Sequence, residues 1–384
     1  METMLITGGR IITPFEELEQ REILLGDGKI RRISAQGTNR NYDRRIDATG
    51  MIVVPGFIDV HVQGAGGADV LDARPEALDT ISLTCARYGV TGYLATTVYR
   101  TGGDNGHLRV ATQERFRSGE GAELLGIHLE GPFIAAGKRG MIREDCLAPV
   151  ENEILDRILE LTGDGLRMMT IAPELPAALQ LIRRLQTGGV VASFGHSEAD
   201  YPQTLAGIEA GVGHVTHLYN AMMPMHHRDP GPIPALLEST GVSAQIIPDG
   251  VHIHPAMLRL AGLWLTGNRM VLITDGMQAM GLPDGRYLYN GLDYESKNGT
   301  ARYLDGTLIG TALGMNELIA RCLHHTDCSL AQVIQAASFN PACVLGLQDR
   351  KGSLDEGKDA DLVLLESDLR VSMTIRAGRC VYEA

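Results

Sequence analysis

Several features that mark other classes of protein are missing from this sequence of 384 residues. Its six cysteines include no Cys-x-x-Cys pair and form no framework of the kind found in short secreted chains, which favours reduced, mostly buried thiols. The formal net charge is -13, so the clustered basic face that binds nucleic acid or an anionic membrane is not expected. A locally basic pocket for a small anionic substrate is still compatible with this charge.

Segments that would direct the chain to a membrane are missing as well. No run approaches the roughly 18 consecutive apolar residues of a membrane span. The first residues, Met1 to Met4, lack the basic and apolar regions of a secretory signal, which predicts a cytoplasmic location. Hydrophobic residues nevertheless make up 44% of the chain and charged residues 21%, so we expect a folded protein with a large core.

What the chain does contain is a regular succession of buried strands. From residue 51, short runs rich in Val, Ile and Leu alternate with stretches of helical periodicity, such as those at 77–88 and 201–208. Eight runs are typical of buried strands: 52–60, 92–98, 124–129, 168–172, 190–194, 213–217, 243–247 and 269–273. Eight such strands interleaved with helices predict an α/β fold, a (β/α)8 barrel of the TIM type.

The two ends of the chain differ from this middle part. The first ~50 and the last ~35 residues consist of short alternating strands and turns, with Asp27-Gly28 as a hairpin signal. Because the ends share this pattern, we expect them to pair into one small β-sandwich. The predicted domains are 1–54 plus 351–384 for this β-domain and 55–350 for the catalytic barrel.

Catalytic groups of a parallel barrel gather at the carboxyl ends of its strands. Glu130, His196 and His217 follow the third, fifth and sixth predicted strands, so a barrel would bring one carboxylate and two imidazoles together. Two His and one carboxylate with an open fourth position form a catalytic zinc arrangement. A metal ion there would lower the pKa of a water toward ~7 and polarise a carbonyl oxygen. Asp275, after the eighth strand, is the natural general base.

Five other histidines are expected to have structural rather than metal-binding roles. His128 shares strand parity with Glu130, and we expect it to support the site rather than to bind metal. The remaining candidates are expected to be structural: His107, His214, His324 and His325.

Six motifs resemble those of a known family. They are Pro55-Gly56-Phe57-Ile58-Asp59, His128-Leu129-Glu130-Gly131-Pro132, Gly195-His196-Ser197, His217-Leu218-Tyr219-Asn220-Ala221-Met222, Asp249-Gly250-Val251-His252 and Ile273-Thr274-Asp275. Together they resemble the N-acetylglucosamine-6-phosphate deacetylases of the amidohydrolase superfamily. The Leu-Glu-Gly-Pro and His-Leu-Tyr-Asn-Ala-Met segments are specific to these deacetylases, and the likeness extends to the closing segment that begins at Gly352.

The resemblance implies a role for each site residue. It places Glu130, His196 and His217 on the metal and makes Asp275 the acid/base. The substrate-binding residues that it implies are the backbone amides of Asn220 and Ala221, with His252, Arg228 and Met141. Amide donors in a turn together with a guanidinium group suit a phosphate. Because family members are commonly homodimers in which this arginine reaches the neighbouring active site, we expect a homodimer.

The chain departs from the family pattern at two places. Many relatives carry His-x-His after the first strand and bind a second metal ion, whereas His61 here is followed by Gln63, a poor zinc ligand. We therefore expect one ion per subunit, with Zn2+ favoured over Fe2+, Mn2+ or Co2+, and keep His61 as a candidate further ligand. The loop 138–143 lacks the His that touches the acetyl carbonyl in some relatives, so the metal alone or another group must polarise it.

The expected reaction is hydrolysis of N-acetyl-D-glucosamine 6-phosphate to D-glucosamine 6-phosphate and acetate. The same reaction on the N-acetyl-D-galactosamine epimer is the nearest alternative, because the two sugars differ only in one hydroxyl. Two further alternatives are an N-acyl-amino-acid or cyclic-amide hydrolase and a metal-free scaffold protein. The intact ligand trio and Asp275 argue against the scaffold.

Overall fold

The computed structural model describes residues 3–39, 41–115, 119–265 and 267–384. The strands in these residues are β1 (Met4–Thr7), β2 (Arg10–Ile12), β3 (Glu17–Leu18), β4 (Arg21–Gly26), β5 (Lys29–Ala35), β6 (Arg44–Asp47), β7 (Ile52–Pro55), β8 (Phe57–Val62), β9 (Gly64–Ala65), β10 (Ala68–Asp69), β11 (Val90–Thr97), β12 (Glu123–Glu130), β13 (Leu166–Ile171), β14 (Val191–Phe194), β15 (His214–Val215), β16 (Ser243–Ile246), β17 (Met270–Leu272), β18 (Gly285–Tyr289), β19 (Leu292–Lys297), β20 (Thr300–Tyr303), β21 (Leu308–Thr311), β22 (Leu362–Leu365), β23 (Val371–Arg376) and β24 (Arg379–Glu383).

The α-helices of the described residues lie mostly between the strands of the central part. They are α1 (Pro75–Arg87), α2 (Gly106–Glu114), α3 (Asn152–Thr162), α4 (Ala178–Thr187), α5 (Tyr201–Ala210), α6 (Pro232–Glu238), α7 (Pro255–Trp264), α8 (Met315–His325), α9 (Leu330–Ala337) and α10 (Phe339–Val344). The helical stretches predicted at 77–88 and 201–208 correspond to α1 and α5. Helix α5 begins with a capping box of Asp200 and Gln203, as its sequence allows.

Eight parallel strands form the central sheet, in the order β17-β16-β15-β14-β13-β12-β11-β8. A parallel bridge between Val62 and Gly276 joins the two ends of this sheet and closes the ring. The prediction of a (β/α)8 barrel is therefore confirmed. The carboxyl ends of all eight strands meet at one mouth, which fixes where the functional residues can gather.

The barrel strands are buried on both faces, which explains their nearly continuous apolar runs. One core fills the barrel interior and includes Ile58, Leu94 and Val271. A larger core lies between the strands and the surrounding helices and includes Tyr93 and Phe194. These two cores hold the strand ends rigidly, so side chains at the mouth keep fixed positions.

Strands from both termini form a separate pair of sheets. One has the order β5-β4-β1-β6, and the other has the order β24-β23-β22-β7-β2-β3, which joins the start and the end of the chain. A core that includes Ile6, Ile23 and Leu364 belongs to these strands, so the predicted small β-domain built from both termini is confirmed. The predicted hairpin turn at Asp27-Gly28 links β4 and β5, with positive φ at both residues. The domain limits at 54/55 and 350/351 stay a prediction.

One predicted strand, 52–60, is wrong in its extent because it is two strands. Strand β7 pairs with β22 and β2 in the terminal sheet, whereas β8 pairs with β11 in the barrel. Gly56 separates them, at a point where an added Cβ would lie 2.3 Å from Thr91 Oγ1. The continuous apolar run conceals this change of sheet because both strands are buried.

A buried lysine joins the terminal strands to the base of the barrel. Lys351 Nζ lies 2.8 Å from Glu123 Oε2 at the start of β12, 2.6 Å from Asp361 Oδ2 and 3.2 Å from Asp359 Oδ2. Only 2% of the lysine side chain is exposed. Because Asp361 directly precedes β22, one charge cluster connects the two parts of the fold.

A four-stranded antiparallel sheet, β18-β19-β20-β21, follows the last barrel strand. It packs through Tyr289, Tyr294 and Ile309 on a loop that contains Met141 and Cys146. These strands were not among those predicted from the sequence. They cover one side of the barrel mouth.

The described part of the chain contains no helix that is both long and apolar enough to cross a membrane. All six cysteines lie in this part and are free thiols.

Candidate active site

Four barrel strands direct the following polar side chains to the mouth. Glu130 is the last residue of β12, and His196 and His217 follow β14 and β15 by two residues. Asp275 follows β17 by three residues. These four side chains line one pocket of about 290 Å³, although each residue is at most 6% exposed. The structure thus brings together the four residues that the strand ends had suggested.

Three of these residues form a group that could hold a metal ion: Glu130, His196 and His217. Glu130 Oε1 lies 3.0 Å from His196 Nε2 and 3.0 Å from His217 Nε2, and the two imidazole nitrogens are also 3.0 Å apart. The centre of a triangle with these sides lies about 1.7 Å from each atom, so a point at the usual zinc distance of about 2.0–2.1 Å lies just above its plane. The group therefore fits one divalent ion.

A hydrogen bond to the backbone orients the His196 ring so that Nε2 faces the other two groups of the candidate metal site. Its Nδ1 lies 2.7 Å from the carbonyl oxygen of Lys138, which can only accept, so Nδ1 carries the hydrogen. In the neutral ring Nε2 then presents its lone pair to Glu130 and His217. A carbonyl behind a histidine is a common way to orient a metal ligand. Three acceptors that converge in this manner repel one another unless a cation or a proton lies between them.

Charge within the site favours an ionised carboxylate. Burial raises the pKa of Glu130, but the neighbouring imidazoles of His61, His196 and His217 stabilise the ionised carboxylate, outweigh burial and hold this pKa well below its usual range. Burial lowers the pKa of His217, but its hydrogen bond and attraction to Glu130 raise it overall. Negative charge is therefore concentrated at Glu130, where a cation would bind.

The backbone at these positions is unusual. His196, His217 and Asp275 have φ values of 50°, 31° and 47°, in the left-handed region that residues with a Cβ seldom adopt. Such conformations persist only where the surrounding structure enforces them, and they cluster at functional sites. Here they turn each side chain from the strand direction into the mouth.

His61 and Gln63 lie beside the metal-binding group. His61 Nε2 is 3.2 Å from Asp275 Oδ1 and 3.7 Å from Glu130 Oε1. Gln63 donates from Nε2 to Asp275 Oδ1 over 3.3 Å. Both residues are buried. The amide of Gln63 therefore occupies a hydrogen-bonding position next to Asp275 rather than a position in the group Glu130, His196 and His217.

The same pocket contains four of the five residues that the resemblance assigned to the substrate. Asn220, Ala221 and His252 line it, together with Met141. His252 Nδ1 lies 2.6 Å from Asp249 Oδ2, which fixes the ring. Burial opposes ionisation of Asp249, but the hydrogen bond and charge of His252 outweigh it and lower the pKa of Asp249. The His252 ring is thus anchored on its inner edge.

Arg228 is not brought into the pocket of this chain. It is exposed in the loop before α6, and its Nη1 contacts His227 Nε2 at 2.8 Å. Within the described residues of a single chain, the guanidinium group therefore takes no part in lining the pocket.

Several residues near the site were missed by sequence reasoning. Lys138, Leu308 and Ile309 line the pocket, the last two from β21. Gln245, in β16, contacts both His61 and His217. The only signal for Gln245 in the sequence is a polar residue inside an apolar run, and the lining residues lie on segments whose position depends on distant contacts.

The remaining histidines lie outside the trio. His128 is fully buried, with Nδ1 3.1 Å from the carbonyl oxygen of Val60 and Nε2 2.9 Å from Thr170 Oγ1. Burial holds its pKa well below the usual value, so its ring is neutral. Burial also lowers the pKa of His214 to about 3 and that of His107 to about 4.

Comparison with known proteins gives the family. The model of the Amidohydrolase family matches residues 52–381. The chain is 38% identical to an N-acetylglucosamine-6-phosphate deacetylase of Bacillus subtilis (strain 168), with 99% of this chain and 98% of the relative aligned. It is 35% identical to an N-acetylgalactosamine-6-phosphate deacetylase of Escherichia coli O157:H7, over 96% of this chain and 97% of the relative.

A solved structure agrees over the whole chain. It is that of an N-acetyl-D-glucosamine-6-phosphate deacetylase mutant from Mycobacterium smegmatis in complex with N-acetyl-D-glucosamine-6-phosphate. The TM-score is 0.91 at 33% identity, and the match covers 99% of this chain and 100% of the other. Since the family model, the full-length relatives and the barrel all agree, the chain belongs to the amidohydrolase family.

Proposed function

We propose that this amidohydrolase hydrolyses the acetamide of N-acetyl-D-glucosamine 6-phosphate to give D-glucosamine 6-phosphate and acetate. One observation carries the proposal. Glu130, His196, His217 and Asp275 share one pocket in a chain that is similar over its full length to deacetylases of this substrate. The reaction breaks the carbon–nitrogen bond of the amide; water supplies one oxygen of acetate, the amide carbonyl supplies the other, and the protons of water end on the released amine.

Glu130, His196 and His217 bind one divalent ion in this proposal. Such an ion would act as a Lewis acid that polarises the acetamide carbonyl and would lower the pKa of the attacking water molecule. Two nitrogen ligands and one oxygen ligand favour Zn2+, and Fe2+, Mn2+ and Co2+ accept the same donors. Gln63 carries an amide, which is a poor zinc ligand, and its Nε2 donates to Asp275, so the residue supports a site for one ion.

Asp275 is the general base and then the general acid. A carboxylate in the pocket can accept a proton from the attacking water and return it to the departing nitrogen. Gln63 Nε2 and His61 Nε2 both face Asp275 Oδ1, which leaves Oδ2 for the proton transfer. This division of the two oxygens would keep the carboxylate plane fixed during the reaction.

The phosphate group binds on the opposite side, against the amides of Asn220 and Ala221 and the ring of His252. Arg228 completes this site from a second copy of the chain, because its own side chain lies outside the pocket of its subunit. A homodimer is therefore part of the proposal. Exposed apolar side chains suit an interface with a second copy: Met225, three residues before Arg228, is 43% exposed, and Leu263 and Trp264 at the end of α7 are 66% and 42% exposed. A cytoplasmic location is also proposed, since both the substrate and the free thiols suit it.

The galacto epimer is the second candidate substrate. The E. coli N-acetylgalactosamine-6-phosphate deacetylase aligns with this chain almost as completely as the B. subtilis relative does, at 35% identity against 38%. The acetamide, phosphate and metal contacts proposed above would serve both sugars. Only contacts to one ring hydroxyl would separate them.

Acetate release from the two epimeric 6-phosphates tests the proposal. Unphosphorylated N-acetylglucosamine, an N-acyl amino acid and a cyclic amide serve as controls. We expect the highest kcat/KM for N-acetyl-D-glucosamine 6-phosphate and a large loss without the phosphate. A large preference for the galacto epimer would change the assigned substrate to N-acetyl-D-galactosamine 6-phosphate. Turnover of an acyl amino acid but of neither phosphosugar would overturn the proposal. No turnover of any amide by protein loaded with a divalent ion would favour the scaffold.

A further inference from the structure

Gln245 contacts two histidines at the barrel mouth, His61 and His217. It belongs to β16 and is fully buried. Its Oε1 lies 3.2 Å from the backbone nitrogen of His217 and 3.0 Å from His61 Nδ1. One amide oxygen thus contacts both a metal-ligand candidate and the imidazole next to it.

The chemistry of the partners fixes which way the amide points. A backbone N–H can only donate, so the atom that faces His217 must be the oxygen. The amide nitrogen faces Met168 Sδ at 3.5 Å, a weak acceptor. Because an amide oxygen can only accept, the Nδ1 of His61 must carry a hydrogen. The tautomer of His61 is therefore set by Gln245.

The opposite edge of the His61 ring faces the site. Its Nε2 lies 3.2 Å from Asp275 Oδ1 and 3.7 Å from Glu130 Oε1. With no competing acceptor, these two carboxylates would attract the hydrogen of a neutral ring to Nε2. The oxygen of Gln245 keeps a hydrogen on Nδ1 and so fixes Nε2 as the ring atom that faces the two carboxylates.

The same contact acts on His217. This residue has a φ of 31°, a conformation that requires support from its surroundings. Its backbone N–H donates to Gln245 Oε1, and the N–H of the next residue, Leu218, donates to the backbone oxygen of Gln245 over 2.9 Å. Gln245 thus holds the turn that carries His217 with both its side chain and its backbone.

We propose that Gln245 is a positioning residue that fixes the Nδ1–H edge of His61 and the turn at His217, and so sets the geometry at which Asp275 and the ligand trio act. The expected effect on turnover rests on the proposed deacetylase function, whereas the contacts of Gln245 are independent of that function. Loss of such an outer partner typically costs about 10- to 100-fold in metal affinity or activity.

Two variants and one control test this role. Gln245→Leu removes the acceptor at similar volume, whereas Gln245→Glu keeps an oxygen for both hydrogens. Ser193→Ala is the control, because it removes another fully buried barrel hydrogen bond, the 2.7 Å contact between Ser193 Oγ and Thr216 Oγ1. The readouts are the ¹⁵N chemical shifts of His61, the affinity for Zn2+, and kcat and KM for acetate release.

In the wild type we expect a hydrogen on His61 Nδ1, retained in Gln245→Glu and transferred to Nε2 in Gln245→Leu. Affinity for Zn2+ and kcat should fall about 10- to 100-fold in Gln245→Leu, with KM changed less, and recover partly in Gln245→Glu. The control should match the wild type in all readouts.

A bare Nδ1 in wild-type His61 would overturn the proposal even if Gln245→Leu fails to fold. So would a folded Gln245→Leu protein with unchanged tautomer and metal affinity. The shifts and metal affinity need no substrate, so a failure of the proposed function, seen as absent acetate release, is distinguishable from a failure of this role.

Discussion

Asp275 occupies a closely restrained position at the barrel mouth. Its backbone oxygen accepts from the Thr311 N–H over 2.9 Å, and its φ is 47°. Its Oδ1 accepts from Gln63 Nε2 over 3.3 Å, and His61 Nε2 lies 3.2 Å away. The barrel therefore holds this carboxylate from two sides. Such restraint suits the proton transfer that we propose for this group.

Asp275→Asn should abolish most of the activity while the metal ion stays bound. Asparagine has nearly the same shape but cannot accept a proton, and general acid–base catalysis contributes about 10²- to 10⁴-fold. We expect kcat to fall by that amount, with the metal content per subunit unchanged. Acetate release and elemental analysis of the same preparation measure both quantities.

The matched control for this substitution is Asp293→Asn, on the exposed part of β19, which should leave kcat unchanged. Loss of the metal ion together with activity in Asp275→Asn would contradict the assignment, because Asp275 would then act as a ligand rather than as the base.

At the residue scale, the sequence predicted those site residues that directly follow a predicted strand. Glu130, His196 and His217 could be selected because parallel strands end on one side, whatever their separation in the chain. Gln245 could not be selected in this way, because its role depends on which ring lies against its amide. Lys138 and Ile309 reach the pocket from segments whose packing is decided by distant contacts.

Among the elements, the junction between the terminal β-domain and the barrel depends on a buried ion cluster around Lys351. Burial raises the pKa of Glu123, but the charge of Lys351 outweighs burial and lowers this pKa overall. Burial also raises the pKa of Asp359, but the hydrogen bond from Lys29 and the charge of Lys351 outweigh burial and lower this pKa overall. The stabilisation from both carboxylates is therefore present above the unfolded carboxyl pKa of about 4 and is lost as the pH falls through their lower folded values.

Lys351→Met should reduce the free energy of unfolding by about 3–5 kcal/mol at neutral pH, because it removes the buried cation 2.6 Å from Asp361, whose side chain is only 4% exposed. The difference from the wild type should narrow below about pH 4, where the carboxylates of the variant become protonated. Chemical denaturation at several pH values measures this difference.

Lys29→Met is the matched control. Lys29 Nζ also contacts Asp359, at 2.7 Å, but 43% of its side chain is exposed, so its loss should cost at most about 1 kcal/mol. Equal effects of the two substitutions, or a difference from the wild type that widens in acid, would contradict the account of the junction.

The barrel strands could be predicted because burial on both faces leaves continuous apolar runs. The same property concealed the division between β7 and β8, since each strand is buried in a different sheet. The sheet β18–β21 was missed for a different reason. Its strands are short and partly exposed, as the pattern of β19 shows, and it is stabilised by packing on a loop far away in the sequence.

Across the whole molecule, the fold and the family follow from one chain, whereas the proposed contact of Arg228 with the phosphate needs a second copy. Arg228 lies on the surface, and the pocket in one subunit lacks a guanidinium group among its described lining residues. A sugar phosphate carries close to two negative charges at neutral pH, so a cation from a second copy would stabilise it.

Mixing two defective variants tests whether this arginine is shared. Arg228→Ala alone should raise KM for the phosphosugar by about tenfold or more, because a hydrogen bond to a charged group is lost. Subunits of Arg228→Ala combined with subunits of Asp275→Asn should restore wild-type KM in about one site in four, since a symmetric dimer gives each mixed pair one complete site.

Arg183→Ala, an exposed arginine on α4, is the control for the loss of surface charge. No recovery after subunit exchange, or a monomer in solution with normal KM, would show that Arg228 does not act across an interface.

The metal content of purified protein tests the central claim most directly, namely that Glu130, His196 and His217 share one divalent ion. Elemental analysis after dialysis should find about one ion per subunit in the wild type and in the exposed control His324→Ala, and little in His196→Ala or His217→Ala. Full metal content in both ligand variants, or full activity of wild-type protein without any ion, would contradict the account.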